Sequence, residues 1–308
     1  MFQSIPNSLS QMSMIFLSVV IEALPFVLVG CLISGLLHEF LSPEVVKKYV
    51  PKNRFLAILL GSFMGVFFPS CECGIVPIVN QFVKKDVPTY TAFPFMLTAP
   101  IINPIVVFST FIAFSDSWRF VFLRVGGSIF VSLVVGLWLA YLYKGTPLKE
   151  EPHHNEQREK YRHHHEDCAL PNEKNTSVGK KIIQFLEHSL DEFFDTGRYL
   201  IIGALIASSL QVYLPTSVML TLGSTKLLAI GVMLVLAVLM SLCSEADAFI
   251  GASLLSLFGV APVVAFLVFG PMVDIKNLLM MKRYFGGKFI VQLVLVIASL
   301  VTIFAWVV

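Results

Sequence analysis

The segment PSCECGIVP, residues 69–77, places two cysteines either side of a glutamate inside a long apolar run. Thiolates are soft ligands that favour zinc, cuprous copper or trivalent arsenic. In extended backbone, residues two apart point to the same side, so a break in the helix here would present Cys71 and Cys73 together, with Glu72 between them. A related grouping recurs in SLCSEAD, residues 241–247, where Cys243 precedes Glu245 and Asp247. A charge inside a membrane costs several kcal/mol and ordinarily faces a cavity or a partner. These six residues are therefore the candidate substrate-binding set. The same argument singles out Glu22, Asp195, Asp274 and the polar Asn103, which lies between Pro100 and Pro104, as candidates for the pathway or for coupling.

Blander readings stand beside these. Cys31 has no such neighbours and reads as a small apolar residue in a helix interface. Glu22 and Asp195 could snorkel or, for Asp195, pair with Arg198, and Asp274 and Lys276 could be interfacial. The CxC spacing is shorter than the CxxC of thioredoxin-like redox sites.

The elements that carry these residues must lie in lipid. Mean hydropathy is +0.80, and 14% of the 308 residues are charged, against about 25% in soluble domains. Apolar runs near 20 residues or longer recur, the length that crosses about 30 Å of hydrocarbon. The chain is therefore expected to be an all-α polytopic membrane protein. Its first apolar run is too long for a cleaved signal peptide and lacks a basic leader, so it is expected to remain as a spanning helix. The run 55–83 would measure roughly 43 Å as one straight helix, and it carries Pro69, Gly74 and Pro77. Two half-length helices meeting at a break suit it better, because irregular backbone at membrane depth is tolerated where it lines a cavity.

Two halves are matched in order. EALPFVLVG, residues 22–30, aligns with DTGRYLIIG, residues 195–203, and the same shift carries Glu72 onto Glu245. With two residues of slippage, APIINP (99–104) meets GPMVDI (270–275), pairing Asn103 with Asp274. This divides the chain into an N-terminal membrane repeat at 1–143, a hydrophilic linker at 144–181 and a C-terminal membrane repeat at 182–308. Lys47, Lys48, Lys52 and Arg54 precede the first broken segment and Lys84 and Lys85 follow it. The positive-inside rule puts both clusters on one side, which a re-entrant hairpin achieves and a full crossing does not. Each half is thus expected to have three spanning helices and one re-entrant or broken hairpin, with residues 227–257 as the second hairpin. An odd number of crossings makes the repeats inverted, the architecture of many secondary transporters. Both termini are expected outside a cell membrane and the linker in the cytoplasm; eight plain crossings would put the basic clusters outside.

The linker holds His153, His154, His163, His164 and His165. A histidine-rich tract can ligate zinc and similar metals, or it can be a solvated linker of biased composition. No P-loop, HExxH helix or nucleophile elbow occurs, so any transport is expected to draw on a gradient or a partner. A net charge of +2 gives no footprint for nucleic acid, and none is expected as a partner.

PSCECGIVP followed by TAPIINP resembles the signature of a predicted-permease family that includes the methylarsenite efflux permeases (ArsP) and relatives of the YcgR type. The likeness covers nearly the whole chain, and Cys71 and Cys73 occupy the motif's cysteine positions. The resemblance implies membrane transport with thiols handling a soft species such as trivalent arsenic. The histidine-rich linker argues for zinc or another divalent metal as the competing substrate. No resident cofactor is expected, only zinc or arsenic as cargo. Beside the lipid bilayer and this small substrate, a membrane partner protein or a second copy of the chain is a possible associate. Two rivals to a non-enzymatic permease are a membrane thiol oxidoreductase built on Cys71 and Cys73, and a non-transporting subunit of a membrane complex.

Overall fold

The computed structural model describes residues 4–40, 50–67, 71–143, 145, 147, 148, 178–213 and 225–308. The five linker histidines and Pro69 lie outside them. The described residues form helices and no named strand. The first half contains α1 (Ser4–Phe40), α2 (Arg54–Met64), α3 (Glu72–Lys84), α4 (Thr89–Ile102), α5 (Pro104–Ala113) and α6 (Trp118–Tyr141). The second contains α7 (Val178–Tyr213), α8 (Lys226–Met240), α9 (Ser244–Phe258), α10 (Val260–Phe269), α11 (Ile275–Tyr284) and α12 (Gly287–Val307).

The apolar run after Arg54 divides into two helices. Asn53 caps α2 by accepting from the Phe55 N–H at 3.1 Å, and α2 tightens into a 3-10 turn at Gly65–Phe67. The chain re-enters helix at Glu72, with Cys71 extended in front of it. The corresponding run in the second half divides at Ser241, whose left-handed φ of 48° ends α8. The third pair divides at Asn103. Pro104 opens α5, the Asn103 side chain accepts from the Ile105 N–H at 3.0 Å, and the two helices bend by 43°.

Sequence and structure differ at Gly74. It does not break the helix but sits in the first turn of α3, where α1 crosses. A Cβ on Gly30 would lie 2.3 Å from the Gly74 carbonyl oxygen, so the two backbones touch, as small residues allow in membrane helix pairs. Pro77 lies inside α3, where it has no N–H to offer the Cys73 carbonyl one turn back.

The sequence predicts six crossings. Among the described residues four helices are long and apolar enough to span, within α1, α6, α7 and α12, and the bent pair α4–α5 makes five. The equivalent pair α10–α11 does not qualify. α10 has only 10 residues, and α11 carries Lys276, Asn277, Lys282 and Arg283 in its 10.

Outward faces of the long helices present apolar side chains such as Met14, Leu17, Ile21, Phe122, Leu295 and Ile303, as lipid requires. Inside, α1 runs along α7, and the halves interleave, with α9 packed on α5 and α3 on α11. That exchange brings the breaks of the two halves face to face.

Candidate site at the paired helix breaks

α3 and α9 both begin at the centre of the molecule. Glu72 is the first residue of α3, and the Ser244 hydroxyl at the start of α9 donates to its Oε2 at 3.4 Å. Helix N-termini carry partial positive charge, which favours the acids found in both first turns: Glu72 in one, Glu245 and Asp247 in the other.

Two buried cations balance part of that charge. The Lys276 ammonium lies 3.6 Å from Glu72 Oε1 and 3.6 Å from Asp274 Oδ2. Arg124, in the middle of the fold, donates to Thr110 Oγ1 at 2.7 Å, to the Ser244 carbonyl at 2.8 Å and to the Leu267 carbonyl at 3.2 Å. Asp247 is the acid that attracts it most strongly. Asp247 Oδ2 is buried without a hydrogen-bond partner. Glu72, Asp247 and Asp274 therefore face Arg124 and Lys276, all five buried. With every group ionised, this inner set carries one negative charge in excess, which a proton or a small cation would offset.

A cavity of about 10 Å³ opens between α1 and these breaks, lined by Glu22, Cys71, Glu72, Cys73, Cys243 and Lys276 with Val19, Ala23 and Phe26. That is close to the space one water occupies. The Cys71 and Cys73 thiols interact with each other, and Cys243 Sγ donates to Glu245 Oε2 at 2.8 Å. Cys31, Cys71, Cys73 and Cys243 are all free thiols. One ligand atom each from Glu22, Cys243 and Glu245 fall within 4.8 Å of one another. A thiolate with two carboxylates is a donor set that zinc and similar divalent ions accept.

Of the sequence candidates, Glu22, Cys71, Glu72, Cys73 and Cys243 thus share the cavity, Glu245 adjoins it, and Asp247 is buried in the first turn of α9. The others lie elsewhere or play a local part. Asp274 caps α11 by accepting from the Asn277 N–H at 2.5 Å, and it accepts from Ser241 Oγ at 3.0 Å. Its match Asn103 caps α5 in the same way. Asp195 is away from the cavity and pairs with Arg198 and, at 3.1 Å, with Arg283. Sequence reasoning passed over Arg124, which with Arg119 is one of two cations in an otherwise apolar span, and read Lys276 as interfacial. Both were visible as charges within hydrophobic context.

The family described as Predicted permease (ArsP_1) matches residues 8–308. A Streptococcus mutans protein described as "Putative two-component membrane permease complex subunit" is 52% identical over 293 residues, covering 95% of this chain and 93% of that one. The UPF0718 protein YcgR of Bacillus subtilis is 46% identical over 297 residues, covering 96% of each. No solved structure matches the chain. With the match spanning both halves and both helix breaks, the chain belongs to the predicted permease family.

Proposed function

We propose that this membrane permease moves a small soft metal or metalloid species through the cavity between its two helix breaks. The supporting observation is the convergence on one cavity of three thiols, Cys71, Cys73 and Cys243, with the Glu22 and Glu72 carboxylates. Cys71, Cys73 and Cys243 supply the soft ligands. Glu72, Glu245 and Asp247 offset the charge of a cation. The mixed set Glu22, Cys243 and Glu245 favours a divalent ion such as zinc over a trivalent arsenical, which is held by thiolates alone. The two halves, each with six helices among the described residues, act as inverted repeats. Because the cavity admits about one water, one repeat must rock against the other to admit and release cargo. The linker faces the cytoplasm, where its histidines collect metal. By analogy with the Streptococcus mutans relative, whose description makes it a complex subunit, a second membrane protein completes the permease.

The test is binding of zinc and of a trivalent methylarsenical to the purified protein, with Cys71→Ser/Cys73→Ser, Cys243→Ser and linker-deleted variants alongside. Zinc binding that survives linker deletion and is lost with Cys243→Ser supports the reading. Arsenical binding lost with Cys71→Ser/Cys73→Ser, and no zinc bound at the cavity, would move the assignment to the metalloid. Binding of neither ligand refutes a soft-ligand cavity.

A further inference from the structure

A second polar cluster is buried away from this cavity, between α1, α3, α7 and α11. Glu192 lies in the apolar part of α7 and is 8% exposed. Ser34 Oγ of α1 donates to its Oε2 at 2.5 Å. Asn80 of α3 and Tyr284 of α11 lie beside the same carboxylate. Tyr284 is hydrogen-bonded at 2.8 Å to Thr196, one turn along α7 from Glu192. The other titratable groups that face it are Cys31 of α1 and Lys84 of α3, and among the described residues neither makes an ion pair with it. Arg283, next to Tyr284, is engaged by Asp195. Asn80 is 1% exposed, and its Oδ1 has no hydrogen-bond partner.

The cluster is connected to the cavity by one helix face. Cys73, Pro77, Asn80 and Lys84 recur along α3 at spacings of four, three and four, which stacks them on one side. Asn80 is thus roughly 10 Å along the axis from Cys73, and Lys84 is one turn farther. Donor chemistry changes along this path. The cavity offers three thiols, whereas the Glu192 cluster offers a single carboxylate with hydroxyl and amide groups and one thiol, Cys31. One carboxylate edged by hydroxyls holds one proton well and a metal ion poorly.

We propose that Glu192, with Ser34, Asn80 and Tyr284 around it, is a proton-binding station between the cavity and the Lys84 end of the molecule, and that it couples proton movement to transport. The coupling half of this inference rests on the permease reading above. In each cycle the Glu192 carboxylate takes one proton from water on one side and gives it up on the other. The protein is unchanged at the end, and one proton has crossed.

Two measurements on the full chain in lipid vesicles test this. Infrared difference spectra between acidic and alkaline buffer are expected to show a protonated-carboxyl C=O band. That band is lost in Glu192→Gln and kept, at a displaced frequency, in Glu192→Asp. Vesicles holding a pH-sensitive dye and a zinc-sensitive dye then report both fluxes, with zinc as the probe. The wild type is expected to move protons with zinc, and Glu192→Gln to lose the proton movement while still equilibrating zinc. Identical infrared spectra for wild type and Glu192→Gln would overturn the proton site, and proton-coupled zinc flux in that variant would overturn its coupling role. Absence of zinc flux in the wild type refutes the metal reading alone, and the infrared arm then decides the proton site.

Discussion

Replacing Arg124 with methionine tests the electrostatic reading of the centre. Arg124 is 1% exposed and ties α6 to α5, α9 and α10 through Thr110, Ser244 and Leu267. Methionine fills much of the volume but donates nothing. The Leu267 and Ser244 carbonyls each lose a donor, at about 1–3 kcal/mol for an acceptor left wholly unsatisfied. The Ser244 carbonyl keeps a helical donor, whereas the residue four after Leu267 is Pro271, which has no N–H, so this part is about 1–2 kcal/mol and comes mainly from Leu267. The larger loss is the charge. Asp247 is buried and loses a cation that acts on it through space; the two form no ion pair, so this loss falls below the about 3–5 kcal/mol of a broken buried pair. We expect Arg124→Met to destabilise the protein by about 3–5 kcal/mol, charge and hydrogen bonds together. That is a large part of the 5–15 kcal/mol typical of a folded domain. Removing both charges is milder, since a buried pair replaced by neutral groups is often close to neutral. Arg124→Met/Asp247→Asn should therefore recover about 2–3 kcal/mol relative to Arg124→Met alone. The assay is equilibrium unfolding of the purified variants in mixed micelles, analysed as a double-mutant cycle. A double variant whose loss equals the sum of the two singles would refute the proposed Arg124–Asp247 coupling.

Other perturbations have equally definite outcomes. In Gly30→Ala the new Cβ would meet the Gly74 carbonyl at 2.3 Å, so α1 and α3 must separate, at about 1–3 kcal/mol or more. Gly126→Ala, which has nothing within 4 Å, should instead stabilise by about 0.5–1 kcal/mol; thermal unfolding of the pair separates close packing from a general glycine effect. Asp274→Ala removes the α11 cap together with the Ser241 and Lys276 contacts and should cost about 1–3 kcal/mol, whereas Asp274→Asn keeps the cap and should cost less. Equal melting temperatures for the two Asp274 variants would show that the charge matters more than the cap. Lys276→Met should leave Glu72 and Asp274 without their cation, and adding Glu72→Gln to it should restore part of the lost stability, read by the same unfolding assay.

The breaks were legible because proline, glycine and polar residues stand where an uninterrupted helix in lipid would exclude them. Asn103 before Pro104 is the best case, since an Asx cap followed by proline at the first helical position is a local signal. Asp274 likewise caps the helix that follows it. Gly74 was misread because its role is not local. Nothing beside it in sequence says that Gly30, 44 positions earlier, lies against it. Lys276, on the short amphipathic α11, is held by Glu72 of a distant segment, which no local signal announces.

Sequence alone determined the helical membrane class and the helix break at Asn103–Pro104. These follow from local physics: hydropathy over a bilayer's thickness, the missing N–H of proline, and the cost of charge in lipid. Only the tertiary structure decided which charges meet. Glu72 and Lys276 are 204 residues apart in sequence, and Arg124 finds the Ser244 carbonyl across 120. Asp195 and Glu22, which the repeat pairs symmetrically, end in different surroundings, one ion-paired beside α11 and the other at the cavity. The physical reason is the interleaving of the halves. α3 packs on α11 and α9 on α5, and such long-range packing leaves no period or spacing in the chain to read.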